Sequence, residues 1–149
     1  MPDDVILGKV AIIERCLAQV ERYYRGRERD LESDFMLQDA ILLNLQRAAE
    51  AAIGLAMHVV RARRLGLPRE SREAFALLHQ GGLLDGDLTH RMQAMVGFRN
   101  IAVHDYRMLD RAIVRAIIEE RSQDLLAFSG QMLTLAGLER PGTEGTKGV

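Results

Sequence analysis

Apolar residues at positions 6, 10, 13, 17, 20 and 24 recur in alternating steps of four and three, the spacing that lays side chains along one stripe of an α-helix. The pattern predicts a helix from about residue 4 to 29 whose buried face needs a partner. A second run, Leu37, Ile41, Leu45, Ala49, Ala52, Ala56 and Val59, follows Ser33-Asp34, either of which can accept the free amides of a first helical turn. The small residues in this run predict close helix-to-helix approach rather than a bulky interface.

The second helix is expected to stop near Leu65, because Gly66 can take a left-handed cap and Pro68 cannot continue the hydrogen-bond ladder. Ser71 is positioned to cap a short third helix carrying Phe75, Leu77 and Leu78, which Gly81-Gly82 ends. A fourth helix is expected from Asp87, with Leu88, Met92, Met95 and Val96 inward, closing between Arg99 and Tyr106. A fifth starts near Asp110 and runs through Ile113, Ile117, Leu125 and Phe128 to about Leu135. With no period-2 run of β-branched residues, the fold class is all-α: an antiparallel up-and-down bundle of about five helices. One domain spans residues 1–137, and 138–149, with Pro141 and a Gly/Thr-rich end, reads as a flexible tail.

Composition removes several function classes. The single cysteine, Cys16, excludes an internal disulfide and a multi-cysteine zinc site. No apolar run approaches the roughly 18 residues of a membrane span, and the acidic start Met1-Pro2-Asp3-Asp4 is unlike a secretion signal, so a cytoplasmic location is expected. The formal charge of −1, from 20 basic and 21 acidic side chains, gives no global attraction to nucleic acid, and binding to it requires a local patch. Arg22, Arg25, Arg27 and Arg29 form one basic cluster, diluted by acids; Arg61, Arg63 and Arg64 form another with none beside them. No P-loop, dinucleotide fingerprint or H-E-x-x-H motif occurs, and neither a cofactor nor a metal is expected.

The chemistry-bearing residues gather in Arg99-Asn100-Ile101-Ala102-Val103-His104-Asp105-Tyr106. Histidine can accept and donate a proton near neutral pH. Arginine offers a fixed cationic fork for phosphate oxygens and for charge gathering at phosphorus. Together they suit metal-independent cleavage of RNA by its own 2′-hydroxyl, a nucleophile that DNA lacks. On one helix, Asn100 and His104 share a face, whereas Arg99 and His104 differ by roughly 140° and flank a groove. Residue types alone also allow a bland arrangement: Arg99 paired with an acid, His104 bonded at a helix end, and Tyr106 packed by its ring.

The stretch resembles the HEPN superfamily, and within it the HepT-like toxins that pair with a minimal nucleotidyltransferase antitoxin. Their R-x4-H-x-Y signature reads RNIAVHDY here, preceded by Met95-Val96-Gly97-Phe98 in the family's manner. The order of Gln46, Glu50 and His58, the Pro68 to Phe75 joint and the Gly81-Gly82 stop also match. Gly54 departs from the pattern, since many members carry an acidic residue there. The resemblance implies a HEPN-like bundle and a metal-independent endoribonuclease with Arg99 and His104 as the catalytic pair. Asn100 and Glu50 would support them. It further implies a homodimer with two motif helices facing one cleft, RNA as substrate, and a cognate nucleotidyltransferase antitoxin that adenylylates Tyr106.

The alternative is a noncatalytic HEPN helical module that binds a nucleotidyltransferase or a nucleotide. His58 and His79 are weaker site candidates, with His58 more simply a satisfied, partly buried histidine and His79 a surface group. Glu50, if not in the cleft, would pair with Arg47 or face water.

Overall fold

The computed structural model describes residues 2–105 and 111–138, with side chains throughout these ranges except at positions 2, 3, 104, 105 and 111–113. Helix α1 (Pro2–Tyr24) buries Ile6, Val10, Ile13, Leu17 and Val20, the stripe read from the spacing. It ends earlier than expected because Gly26 turns the chain at φ 78°, a left-handed backbone that glycine takes without steric cost. A single 3-10 turn, Glu28–Asp30, follows. Arg27 braces this corner through a 2.6 Å ion pair to Asp34.

Helix α2 (Phe35–Ala62) starts at Asp34, whose carboxylate accepts from the Leu37 amide at 3.1 Å. Of the two cap candidates, Asp34 takes the role, and the Ser33 hydroxyl bonds back to Asp30. Ala48, Ala49, Ala51, Ala52 and Ala56 are all buried, so α1 and α2 approach closely and pack as a hairpin along most of their length. The end of α2 departs from expectation. Arg64 takes the left-handed cap, with φ 54°, and Gly66 has a positive φ of 140° two residues later. The Arg64 amide reaches Arg61 O at 3.2 Å while the Leu65 amide reaches Val60 O at 2.9 Å, a paired closure that satisfies carbonyls the helix end would leave free.

Helix α3 (Ser71–Gln80) corrects a second expectation: Glu70 occupies the cap position without a side-chain bond, and Ser71 is already inside the helix. Gly81 and Gly82 end it as foreseen, Gly82 at φ 77°. Phe75 meets Phe128 edge to face, ring centroids 5.3 Å apart, a geometry that adds to simple area burial.

Helix α4 (Gly86–Asp105) is the motif helix. Asp85, one residue before it, accepts the Leu88 amide at 2.7 Å. Leu88, Met92, Met95 and Val96 are buried as expected. After residues 106–110, which lie outside the described residues, α5 (Arg111–Ala116), a π-helical turn (Ile117–Arg121) and α6 (Ser122–Leu135) run on from one another. The backbone stays right-handed helical at both joints, Ala116 and Ser122, so these three pieces form the fifth helical rod. The tail from residue 139 lies outside the described residues. No strand occurs among the described residues, and no helix there is long and apolar enough to cross a membrane.

Candidate active site

Arg99 lies on α4 with its side chain only 19% exposed, in the angle where α2 and the start of α3 meet the motif helix. Three acceptors hold its guanidinium. Nη1 donates to Glu50 Oε1 on α2 at 2.5 Å, Nε to the Asn100 amide oxygen at 2.9 Å, and Nη2 to the Ser71 hydroxyl at 3.1 Å. An arginine carries five N–H donors in a rigid plane, so among the described residues one donor on each terminal nitrogen is left over. The fork is thereby fixed in direction yet keeps capacity to bind an anion.

The structure thus brings together Arg99, Asn100 and Glu50, three of the five site residues read from the sequence. Glu50 pairs with Arg99 and not with Arg47. His104 lies on the same helix, which continues to Asp105. The five-residue step from Arg99 therefore keeps its rotation of roughly 140°. The His104 side chain and all of Tyr106 lie outside the described residues.

Ser71 was missed as a site residue because its position before an apolar run reads as a helix cap. Only the approach of α4 to α3 turns its hydroxyl into an arginine acceptor. Next to it, the Arg72 side chain runs back along α4, donating from Nε to Gln93 O at 3.3 Å. The Gln93 amide returns a bond to Arg72 O at 3.1 Å. A Cβ built on Gly97 would stand 2.9 Å from Arg72 Nη2.

At Gly54, where the family pattern is broken, the space holds Lys9 of α1: a Cβ there would meet Lys9 Cε and Nζ at 3.2 Å. His58, one turn further, is half-buried and its Nε2 has no hydrogen-bond partner among the described residues, so it is not the satisfied histidine expected. His79 instead is satisfied, its Nδ1 lying 2.8 Å from Leu84 O at the α3–α4 corner. Arg61 and Arg64 are exposed and line a pocket of about 490 Å³ with Met57, Leu67 and Pro68 at the end of α2. Among the described residues, no three of His, Cys, Asp or Glu come together as metal donors.

Comparison with known proteins identifies the family. The family model Ribonuclease HepT-like matches residues 13–132. The chain is 41% identical over 126 residues to the mRNA nuclease HepT of Shewanella oneidensis, an alignment covering 85% of this chain and 94% of that protein. Among solved structures it superposes with a TM-score of 0.83 and 39% identity on a tri-AMPylated HEPN toxin of Shewanella oneidensis in complex with its MNT antitoxin. That match covers 88% of this chain and 98% of the other. A toxin–antitoxin structure with AMP-PNP matches with the same TM-score, identity and coverage.

Proposed function

The chain belongs to the Ribonuclease HepT-like family, and from that premise we propose that it is an endoribonuclease toxin, silenced when a nucleotidyltransferase antitoxin adenylylates it. The observation that carries the chemistry is the Arg99 fork, held by Glu50, Asn100 and Ser71 with two donors unspent among the described residues. Such a fork can hold a phosphodiester and stabilise the charge that builds on its oxygens during attack, a role that in other nucleases falls to a metal ion.

In this reading a base takes the proton of the RNA 2′-hydroxyl as the 2′-oxygen bonds to phosphorus. The bond from phosphorus to the 5′-oxygen breaks, and an acid protonates that oxygen. His104 is the proton carrier. One imidazole cannot start as both base and acid, and Arg99 and His104 leave their helix in directions roughly 140° apart. A two-fold dimer resolves both points by supplying a second copy of each residue to one cleft. Val103, apolar, 51% exposed and about 40° around the motif helix from Arg99, supports burial of this face. The cytoplasm, where RNA and ATP are both present, is the proposed site of action.

The Glu50–Arg99 pair also fits the rival reading, a noncatalytic module in which the arginine only ties α4 to α2. Cleavage of RNA by wild type, Arg99→Ala and His104→Ala in the presence of a chelator separates the two. The nuclease reading expects both variants to stay folded and to lose roughly 10²–10⁴-fold in rate. Equal cleavage by wild type and His104→Ala removes His104 from the chemistry, and full loss of wild-type activity on chelation points to a metal.

A further inference from the structure

Two cations beside the Arg99 fork share an unusual setting. Lys9 is half-buried, with the end of its side chain lying over Gly54, 3.2 Å from where another residue's Cβ would stand. Arg72, more open to water, places Nη2 over Gly97 in the same manner, and a Cβ there would come to 2.9 Å. Arg72 is steered by its reciprocal bonds with Gln93, and Lys9 crosses from α1 to lie against α2 at Gly54. Among the described residues neither has a carboxylate partner, in contrast to Arg25, Arg27, Arg91, Arg99 and Arg121.

Their placement relative to Arg99 is specific. Gly54 is one turn of α2, about 5.4 Å along its axis, beyond Glu50, the carboxylate on Arg99. Arg72 adjoins Ser71, the hydroxyl on Arg99. Gly97 lies seven residues before His104, two turns away on the same face of α4. Positive charges thus stand on two sides of the fork, each lying against a helix and, among the described residues, without a counter-charge. Lys9 lays its stem along the helices while its ammonium can reach an anion, and the guanidinium of Arg72, exposed to water, can receive one too. A polyanion crossing the Arg99 site would present phosphates to both.

We propose that Lys9 and Arg72 are phosphate-binding residues of the substrate cleft, holding the RNA phosphates that flank the one at Arg99. The glycine at 97 leaves Arg72 Nη2 its place against α4, whereas a Cβ at 54 would only press on the end of Lys9 at 3.2 Å. The inference rests on the endoribonuclease reading for the identity of the strand, and it explains how a chain of net charge −1 holds RNA through local charge alone.

The test is binding of a single-stranded RNA oligonucleotide to the uncleaving His104→Ala protein over a series of salt concentrations. Adding Lys9→Met or Arg72→Met should weaken binding several-fold and flatten the slope of log K against log salt by about 0.7 for each phosphate no longer neutralised. Lys9→Arg and Arg72→Lys, which keep the charge, should retain most of the slope. Gly97→Ala, which pushes the Arg72 tip away without removing it, should reproduce part of the Arg72→Met effect. A slope unchanged in both methionine variants overturns the proposal, even if wild type cleaves RNA. A wild type that cannot cleave, beside a slope that still depends on Lys9 and Arg72, instead overturns the nuclease reading and leaves the binding sites standing.

Discussion

Arg99 Nη1 and Glu50 Oε1 stand 2.5 Å apart across the α2–α4 contact, the arginine side chain 19% and the glutamate 48% exposed. This ion pair is open enough to water that it contributes about 0–1 kcal/mol to stability, while it sets the direction of the guanidinium. Glu50→Ala should therefore lower RNA cleavage roughly tenfold, equivalent to about 1.4 kcal/mol in the barrier, with the unfolding temperature nearly unchanged. Glu50→Gln keeps an oxygen acceptor and should lose less. A parallel set of cleavage rates and melting curves checks this; a large fall in melting temperature with intact activity would make the pair structural.

Ser71 offers a sharp contrast between cap and site. A capping serine replaced by alanine costs about 1 kcal/mol of stability, but Ser71 is inside α3 and its hydroxyl serves Arg99. Ser71→Ala is expected to change stability by less than about 0.5 kcal/mol and to slow cleavage roughly tenfold, about 1.5 kcal/mol for one hydrogen bond to a charged group. Urea unfolding and single-turnover cleavage on one preparation measure both.

Tyr106 follows His104 by two residues, and the proposed silencing acts through its hydroxyl. A phosphate and a bulky base attached there would compete with RNA for Arg99 and obstruct the cleft. Tyr106→Phe is expected to cleave RNA at close to the wild-type rate and to gain no adenylate mass when incubated with the antitoxin, ATP and magnesium. The antitoxin should then fail to silence it. Full inhibition of wild type with no gain in mass would defeat the covalent account.

Asp124 is buried, its side chain 5% exposed, between Arg121 at 2.7 Å and Arg91 at 3.3 Å. The Arg91 bond ties α6 to the motif helix, and the Arg121 bond lies within the fifth rod. Removing Asp124 loses two charged hydrogen bonds while Arg91 keeps Asp87 and Arg121 keeps Glu120, a cost of about 2 kcal/mol, or roughly 4–8 °C in melting temperature for a chain of this size. Asp124→Ala should show this loss in a thermal melt, whereas a shift under about 2 °C, less than 1 kcal/mol is expected to give, would mean that water replaces the carboxylate.

Acid stability should depend on two helix caps. The Leu37 amide, then Arg27, lowers the Asp34 carboxyl below its ordinary value, and the Leu88 amide, then Gln131, does the same for Asp85. A carboxyl with a depressed folded pKa contributes stability above its unfolded value of 3.8, and that contribution disappears as pH falls through the folded value. Melting temperature should therefore fall as pH drops below about 4. In a double variant, Asp34→Asn with Asp85→Asn, which can still cap but cannot titrate, the acid fall should be shallower. An unchanged acid limb would place the titration elsewhere.

The sequence by itself determined which residues form helices and which faces they bury, because an α-helix writes its periodicity directly into the order of apolar residues. Ile6, Val10, Ile13, Leu17 and Val20 are inside as that spacing requires, and RNIAVHDY marks the motif helix without knowledge of its neighbours. Helix ends were less legible, since several residues near each end can satisfy the same free amides or carbonyls. Backbone geometry chose Asp34 over Ser33, Arg64 over Gly66 and Gly26 over a later stop. The partners of Arg99 were beyond sequence for a different reason. Glu50 and Ser71 lie 49 and 28 positions from it in the chain, and only the packing of α2 and α3 against α4 brings an acid and a hydroxyl within reach of one guanidinium. The seating of Lys9 and Arg72 over glycines was likewise decided by tertiary structure, because an absent side chain becomes a site only when another element lies across it.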